Sequence, residues 1–525
     1  QASYFFNSTD SFRIGVQPFR LTSMSMLHLC RYAYFCLSLA LSASLVAASD
    51  QRVVEVDATG AALILDDTFN ALQIPRSTSN SSSELPSLME APLSNAGDDD
   101  DDDDSLITYA GKVGAPYKEN KFVPANERTY FMAEENYDNA GHPSYVVETS
   151  KGNILMTGDS FGDGEGRGWA NALDASANLK WAWQSHSKEF DAVLGAATLP
   201  DDTAVLGGTR SVKGRWELLL VAIQPNGKEE WSTTLTPSSP QHSGCAERGV
   251  KNCYGVIYWM DTDPSKELLI FGGVVDFPHD EGDILWKSGG GQPDVGGVPF
   301  IAAIPFSKLA TAPTNKDIQT VHYFNNEPGF TTVVSLRAER GKGVIALLPL
   351  NCCGGSVARV TYDQSGQFRQ EWISALSLED QVTDIAIVGN RYVVSATVNP
   401  GAKIEALTPD GKSAWTKSYD ISKAFPPEKN RMWCQECWSV ATHGWEVMLS
   451  CGVAELPPGD DNCDDGLWRS LLVTFDYGKP AVASYHLFGK PSQNFAVEYA
   501  SYTANGEKLC AIDSDPASVI RFMHE

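Results

Sequence analysis

From residue 128 to the end of the chain, short runs of alternating apolar and polar residues are separated by polar turns. Alternation with a period of two is the pattern of a half-buried β-strand. Seven segments of this kind predict the first strand of a repeated unit, and they lie at Tyr145–Val147, Phe190–Val193, Tyr254–Val256, Phe330–Val333, Val382–Ile385, Trp438–Val440 and Phe495–Val497. Each is followed by further strand-like runs, which predicts units of four short antiparallel strands.

A turn with a fixed internal spacing recurs within these units. An apolar residue precedes a Pro/Asp/Asn/Gly turn, and a tryptophan follows that residue by eight positions at Leu173 and Trp181, Ile223 and Trp231, and Leu407 and Trp415. A looser copy runs from Val360 to Trp372. Such a fixed spacing is typical of stacked repeats, because each unit presents the same side chain to its neighbour.

Seven four-stranded units indicate an all-β fold, a seven-bladed β-propeller of four-stranded antiparallel blades. The last unit ends after Ser518–Phe522 without a fourth strand, and Thr129–Met132 has the character to supply it. We therefore expect an N-terminal strand to close the ring, which pairs both sheet edges. An open, stacked solenoid is the alternative architecture.

The Asp-x-x-Gly-x-x-x-Trp hairpin resembles the tryptophan-docking repeats of the PQQ-like β-propeller superfamily, and also the secreted bacterial-type propeller repeats that share this turn. The resemblance covers about residues 128–525 and implies the propeller fold. It also implies an alternative function, because PQQ-dependent alcohol dehydrogenases of that superfamily place a vicinal disulfide against the quinone beside a bound Ca²⁺. The adjacent Cys352 and Cys353 would fit that device, whereas the seven predicted units depart from the eight blades of those enzymes.

The region before the repeats predicts secretion. Residues 1–23 are expected to be untranslated or a partial leader, and residues 24–48 read as a signal peptide with Arg31 before the apolar run Ala33–Ala47. Residues 49–127 are predicted to be a low-complexity propeptide or linker that contains the seven aspartates Asp98–Asp104, and residues 128–525 the propeller. The role of the aspartate run stays open.

The net charge limits the classes of partner. A formal charge of −26 argues against nucleic acid, which requires clustered Lys and Arg.

In an oxidising compartment the cysteines are expected to form disulfides, with candidates at Cys245, Cys253, Cys352, Cys353, Cys434, Cys437, Cys451 and Cys463. We expect Cys451 to pair with Cys463 across one loop. A zinc site of Cys434, Cys437, Cys451 and Cys463 is the alternative.

The long insertions all fall in connections that open on one face of a propeller, between the second and third strands of a blade or between one blade and the next. They span residues 160–167, 237–252, 276–297, 420–436 and 454–466. Binding residues concentrate on such loops. The predicted binding residues are Asp163, Glu165, Trp169, Asp276, His279, Asp280, Trp286 and Trp433, and a Ca²⁺ loop is predicted at Asp460, Asn462 and Asp464.

These residues predict a secreted, non-enzymatic binding or scaffold module whose partner is an extracellular protein or carbohydrate, with no membrane span. PQQ enters only in the alternative, a quinoprotein oxidoreductase. A third possibility is a glycan-acting hydrolase, although the sequence contains no His-Glu-x-x-His motif.

Overall fold

The computed structural model describes residues 109–112, 124–129 and 141–522, and the last range has gaps at 163–164, 176–178, 186–190, 213–214, 237–252, 279–296, 325–329, 351–352, 399–400, 427–431, 457–462, 464–467, 490–494 and 514–517. The described residues form strands and three short 3-10 helices, at Phe306–Lys308, Asn315–Asp317 and Ile421–Lys423. Two strands precede the repeats: β1 (Tyr109–Lys112) and β2 (Pro124–Thr129).

Seven blades follow, and each begins at the axis and ends at the periphery. Blade 1 contains β3 (Gly141–Glu148), β4 (Ile154–Gly162), β5 (Glu165–Leu173) and β6 (Leu179–Gln184). Blade 2 contains β7 (Asp191–Thr198), β8 (Ala204–Val212), β9 (Arg215–Ile223) and β10 (Glu229–Leu235). Blade 3 contains β11 (Cys253–Asp263), β12 (Leu268–Pro278), β13 (Val298–Pro305) and β14 (Thr320–Tyr323).

Blades 4 to 6 repeat this order. Blade 4 contains β15 (Ser335–Glu339), β16 (Gly343–Pro349), β17 (Gly355–Tyr362) and β18 (Phe368–Ala375). Blade 5 contains β19 (Gln381–Val388), β20 (Arg391–Thr397), β21 (Ala402–Leu407) and β22 (Ser413–Tyr419). Blade 6 contains β23 (Met432–His443), β24 (Glu446–Leu456), β25 (Arg469–Asp476) and β26 (Ala483–Phe488).

Blade 7 contains β27 (Ala496–Tyr502), β28 (Lys508–Asp513) and β29 (Ser518–Phe522), and β2 supplies its outermost strand. β2 runs antiparallel to β29 and places Pro124 opposite Phe522 and Thr129 opposite Ser518. The seven-bladed propeller closed by an N-terminal strand is thus confirmed. The closing strand differs from the expected Thr129–Met132 and shares only Thr129 with it.

Strand β1 extends blade 6 to five strands by pairing with β26, with Tyr109 opposite Leu487 and Lys112 opposite Ser484. Strand β1 precedes residue 128 and β2 begins before it, so sheet pairing begins upstream of the boundary predicted for the propeller. The added strand covers the outer edge of blade 6, which would otherwise expose unpaired backbone groups.

The first strand of blade 4 also lies later in the chain than predicted. Instead of Phe330–Val333, the strand is β15, and Phe330 makes only an isolated bridge to Leu350. The backbone of this segment binds the neighbouring blade: the Val333 N–H donates to the Gly273 carbonyl of blade 3 at 3.1 Å. The Thr331 and Val334 N–H groups still donate to the Pro349 and Leu347 carbonyls of β16, each at 3.1 Å. The alternation predicted buried residues correctly, but the pairing of this segment with its own blade is irregular.

The recurring tryptophans dock on the next blade. A Cβ added to Gly227, in the turn between β9 and β10, would lie 2.4 Å from the Trp181 Cβ of blade 1. A Cβ added to Gly411, in the turn between β21 and β22, would meet the ring of Trp372 at 2.8 Å. Trp231 instead donates its indole N–H to the Leu309 carbonyl of blade 3 at 2.8 Å. The hairpin turn and its tryptophan therefore form an interface between consecutive blades.

A β-bulge interrupts the innermost strand of every blade except blade 4. The register shifts lie between Pro143 and Tyr145, Val193 and Gly195, Ile257 and Trp259, Val382 and Asp384, Cys437 and Ser439, and Val497 and Tyr499. Blade 3 has a second shift nearer the start of β11. A bulge leaves one residue unpaired and bends the strand. The residue that follows each of these six bulges therefore occupies an equivalent position near the axis.

Candidate functional site

Five side chains from five blades meet near the axis, and we call them the axial cluster: Tyr145, Trp259, Arg337, Asp384 and Tyr499. Each lies on the innermost strand of its blade, and all except Arg337 directly follow a bulge. The cluster thus arises from one repeated distortion of the strand that lines the axis, filled by a different residue type in each blade.

Three aromatic rings of the axial cluster pack against one another across the ring of blades. Tyr145 of blade 1 meets Trp259 of blade 3 edge-on at 5.7 Å between centroids and Tyr499 of blade 7 at 5.2 Å. Trp259 and Tyr499 are 5.4 Å apart. Rings from opposite sides of the propeller are in contact, so aromatic side chains fill the axis at this level.

Arg337 anchors the polar side of the axial cluster. Its guanidinium carbon lies 4.1 Å from the centroid of a Trp259 ring, within the range of a cation–π interaction. Nη2 donates to both carboxylate oxygens of Asp384 at 3.0 and 3.1 Å, and to the Tyr499 hydroxyl at 3.4 Å. Burial alone would lower the pKa of Arg337, but the Asp384 carboxylate outweighs it and the pKa is raised. The guanidinium is therefore a permanent cation.

Asp384 connects three blades and is fully buried. Besides Arg337 of blade 4, its carboxylate accepts from the Ser335 hydroxyl of blade 4 at 2.5 Å and from the Val440 N–H of blade 6 at 3.0 Å. It also accepts from the N–H of Ile385, its neighbour in blade 5, at 2.8 Å. An innermost strand has an unpaired edge, and this carboxylate satisfies one such N–H group. Its hydrogen-bonding capacity is used to hold blades together.

The two phenols of the axial cluster remain protonated at neutral pH. Burial is the main cause that raises the pKa of Tyr145 and of Tyr499, and the charge of Asp384 raises both further. Neutral phenols can donate hydrogen bonds but cannot act as bases or anionic nucleophiles. The axial cluster therefore offers an immobilised cation, its paired carboxylate and neutral donors.

A second ionisable group lies on the long-loop side of the cluster. We call the face that carries the connections between second and third strands, and between blades, the long-loop face, and the opposite one the short-turn face. Glu498 is the bulge residue near the start of β27, and its Oε2 is buried without a hydrogen-bond partner among the described residues. Burial, together with the charges of Asp513 and Glu436, raises the pKa of Glu498 well above the ordinary value. The Glu498 carboxyl group therefore keeps its proton to a higher pH than an exposed glutamate does.

The residues predicted from the sequence to bind a ligand do not belong to the axial cluster. Trp169 and Trp433 are 1% and 6% exposed and pack in hydrophobic clusters, and the Trp433 indole N–H donates to the Phe425 carbonyl at 2.9 Å. Glu165 begins β5 and Asp276 lies near the end of β12, both at the long-loop face. The other predicted positions lie outside the described residues: Asp163, His279, Asp280, Trp286, Asp460, Asn462 and Asp464.

The cysteine pairing corrects the sequence prediction. Cys434 pairs with Cys463, and Cys437 pairs with Cys451 across the β23–β24 hairpin, so the expected Cys451–Cys463 bridge is wrong and the zinc alternative loses its four thiols. The bulge after Cys437 brings it directly opposite Cys451. Cys353 is exposed and Cys253 begins β11, while Cys245 and Cys352 lie outside the described residues.

The described residues contain neither a candidate metal-binding group nor a candidate membrane-spanning helix. Across the ranges given above, no group of three His, Cys, Asp or Glu side chains is arranged to hold a metal ion. Within the same ranges, no helix has the length and apolarity needed to cross a membrane.

No protein-family profile and no curated protein sequence matches the chain. Similar solved structures include Sqt1 from Chaetomium thermophilum (13% identity, TM-score 0.40, 74% of this chain and 98% of that one). The periplasmic gluconolactonase PpgL of Pseudomonas aeruginosa has 13% identity and a TM-score of 0.38 over 60% of this chain and 82% of that one. The PQQ-bound aldose sugar dehydrogenase of Streptomyces coelicolor has 12% identity and a TM-score of 0.35 over 70% of this chain and 99% of that one. Similarity this weak carries no argument about activity, so the fold assignment stands on strand pairing.

Proposed function

We propose that this chain is a secreted β-propeller that binds an extracellular ligand, a protein or a carbohydrate, on its long-loop face and acts as a binding or scaffold module without catalysis. The observation that carries the proposal is the axial cluster. Its aromatic rings fill the axis, and its two charged groups are paired with each other. A ligand that enters along the axis from the long-loop face therefore cannot pass the level of the axial cluster.

The polar groups between the axial cluster and the long-loop face suit ligand binding. Glu498 is a neutral carboxyl with an unpartnered oxygen, and it lies near the carboxylates of Asp513 and Glu436, which raise its pKa. A protonated carboxyl donates a hydrogen bond while carboxylates accept them. This combination suits the hydroxyl groups of a carbohydrate or the donor groups of a protein surface.

Two further observations support the wider proposal. The disulfides Cys434–Cys463 and Cys437–Cys451 are compatible with an oxidising compartment and so with secretion. The docking of Trp181 on Gly227 and of Trp372 on Gly411 supports kinship with the tryptophan-docking propeller repeats. The calcium loop at Asp460, Asn462 and Asp464 remains part of this proposal.

The quinoprotein alternative fits the described residues poorly. A quinone stacked on the axis needs open space with a metal beside it, whereas Tyr145, Trp259 and Tyr499 fill the axis at the level of the cluster. We therefore expect no alcohol-dependent dye reduction when the protein is supplied with PQQ and Ca²⁺. Dye reduction that disappears when both Cys352 and Cys353 are replaced by serine would establish the alternative.

Thermal unfolding of the full chain with a glycan panel, a panel of extracellular proteins, Ca²⁺ and PQQ tests the proposal, because a ligand that binds only the folded state raises the midpoint. We expect a glycan or protein to raise the midpoint, and Glu498→Ala to abolish the increase. Asp261→Asn is the matched control, since this carboxylate also has a raised pKa but lies on the short-turn side of Trp259. An increase that survives Glu498→Ala, or that Asp261→Asn removes equally, would contradict a site on the long-loop face.

A further inference from the structure

An aromatic and cationic patch lies on the short-turn face, where blades 5 and 6 meet, away from the site proposed above. We call it the Tyr477 patch, and it comprises Arg391, Trp415, Trp445 and Tyr477. The ring of Tyr477 lies 5.4 Å from Trp415 and 5.8 Å from Trp445 between centroids. The Arg391 guanidinium carbon lies 5.5 Å from the Tyr477 centroid. All three neighbours thus contact one buried phenol.

Tight turns hold the patch in place. Trp445 lies in the two-residue connection between β23 and β24, with Gly444 at φ +59°, and its carbonyl accepts from the Tyr477 N–H at 2.9 Å. Arg391 directly follows the Gly389–Asn390 connection of blade 5. Trp445 is nevertheless 54% exposed, which is unusual for a large apolar side chain packed on a rigid scaffold. The turns therefore present an indole face to solvent at little entropic cost.

The charges around the patch contrast with those of the whole chain. Arg391, Lys417 and Lys479 are exposed, and none has a carboxylate partner among the described residues. Lys417 follows Trp415 by two positions on the same face of β22, and Lys479 follows Tyr477 by two. The nearby Glu446 carboxylate is already bound by Lys508 and the Tyr502 hydroxyl. Three exposed cations thus lie close to Tyr477 in sequence or space, against the one exposed carboxylate of Asp476, which accepts from the Gly478 N–H at 2.7 Å. The chain as a whole has a formal charge of −26.

One polar group within the patch is unsatisfied. Tyr477 is 2% exposed, and its hydroxyl has no hydrogen-bond partner among the residues that the structure describes. Buried hydroxyls nearly always have a partner, because leaving one unpaired loses the hydrogen bond it makes with water in the unfolded chain. This unsatisfied hydroxyl belongs to the ring against which the exposed Trp445 packs.

We propose that the Tyr477 patch binds an acidic carbohydrate, a chain of sugar rings that carries carboxylate or sulfate groups. The exposed Trp445 ring offers a flat apolar surface for the face of a sugar. Arg391 and the two lysines neutralise its acidic groups. A neutral glycan would use only the indole, and a free small anion only the cations.

The test measures binding of the full chain to oligogalacturonate, to heparin and to neutral dextran by calorimetry at several salt concentrations. We expect at least one of the acidic chains to bind, dextran not to bind, and affinity to fall with salt because counterions are released. Trp445→Ala should weaken binding at least tenfold, and Arg391→Gln should weaken it and flatten the salt dependence. Leu179→Ala is the matched control, because it removes another exposed apolar side chain (45%) from blade 1, and it should leave binding unchanged.

Each other outcome overturns the inference. Failure of both acidic chains to bind, equal binding of dextran, or full affinity in Trp445→Ala would exclude an acidic carbohydrate site. A concentration-dependent dimer in sedimentation that Trp445→Ala abolishes would assign the patch to a second copy of this chain. Glu498→Ala should leave binding here intact, so the outcome at this patch is independent of the outcome at the long-loop face.

Discussion

Replacing Gly227 by alanine tests the docking contact between blades. Gly227 has φ +85°, and a Cβ there would lie 2.4 Å from Cβ and 2.7 Å from Cγ of Trp181. Gly389 provides the matched control, because its φ is +63° but a Cβ there would meet no atom within 4 Å. Both variants carry the strain of a left-handed alanine, and only Gly227→Ala adds the clash.

The expected magnitudes follow from these two contributions. A left-handed conformation costs an alanine about 1–2 kcal/mol, and a side chain forced into a packed space costs about 1–3 kcal/mol more. The entropy that alanine removes from the unfolded chain offsets about 0.4–1 kcal/mol in both variants, so it cancels in the comparison. We therefore expect Gly227→Ala to destabilise the fold by about 1–3 kcal/mol more than Gly389→Ala.

Equilibrium unfolding in urea, followed by circular dichroism, measures this difference without relying on the tryptophans. A double-mutant cycle with Trp181→Gly should recover the excess cost, because only glycine removes the Cβ as well as the ring and so leaves room for the new methyl group. Equal destabilisation by Gly227→Ala and Gly389→Ala, or additive effects in the cycle, would refute the docking contact as a stabilising interface between blades.

Three further changes test the axis and the closure. Asp384→Asn leaves the Arg337 cation buried without its counterion and should lower the free energy of unfolding in urea by about 3–5 kcal/mol. Asp410→Asn, which removes an exposed ion pair, should cost far less, and similar costs for the two variants would show that the Arg337–Asp384 pair does not hold the blades together. Glu498 has a raised pKa in the fold, so its contribution is present below the ordinary value of 4.5 and is lost as the pH rises through the folded-state pKa. Glu498→Gln should therefore flatten the decline of the unfolding midpoint as the pH rises above 4.5, and parallel profiles would refute this. Deleting Pro124–Thr129 should expose the edge of β29 and lower both solubility and the unfolding midpoint; unchanged values would show that ring closure does not depend on this strand.

The repeat could be predicted from the sequence because it depends on the local alternation of apolar and polar residues and on a fixed turn spacing. The spacing from Ile223 to Trp231 recurs in several units and marks the same hairpin, and the blade number followed from counting the seven first-strand segments. The closing strand was harder, since Pro124–Thr129 reads Pro-Ala-Asn-Glu-Arg-Thr and shows no apolar alternation. It becomes a strand only because β29 offers an unpaired edge nearly four hundred residues away.

The axial cluster escaped prediction for a different reason. A bulge shifts the strand by one residue, so the residue that meets the axis departs from the alternating pattern. The equivalent positions also hold unlike residues, such as Tyr145, Gly195, Asp384 and Ser439, and a search for a repeated motif passes over them. The same shift defeated the disulfide prediction: counting outward from the Gly444–Trp445 turn leaves Cys437 and Cys451 one residue out of register, and the bulge corrects it.

The pairing of β2 with β29 has a consequence for how the chain acquires its structure. Pro124 can pair with Phe522 only after Phe522 has been synthesised, so the last blade cannot be completed until nearly the entire polypeptide has been made. Until then, blades 1 to 6 exist as an open arc whose terminal edges can pair with other chains. Contacts between such distant residues form slowly, because their loop-closure entropy is paid before they contribute stability. The final step of maturation is therefore the joining of the two ends of the ring, and the arc that precedes it is the state most in need of protection from aggregation.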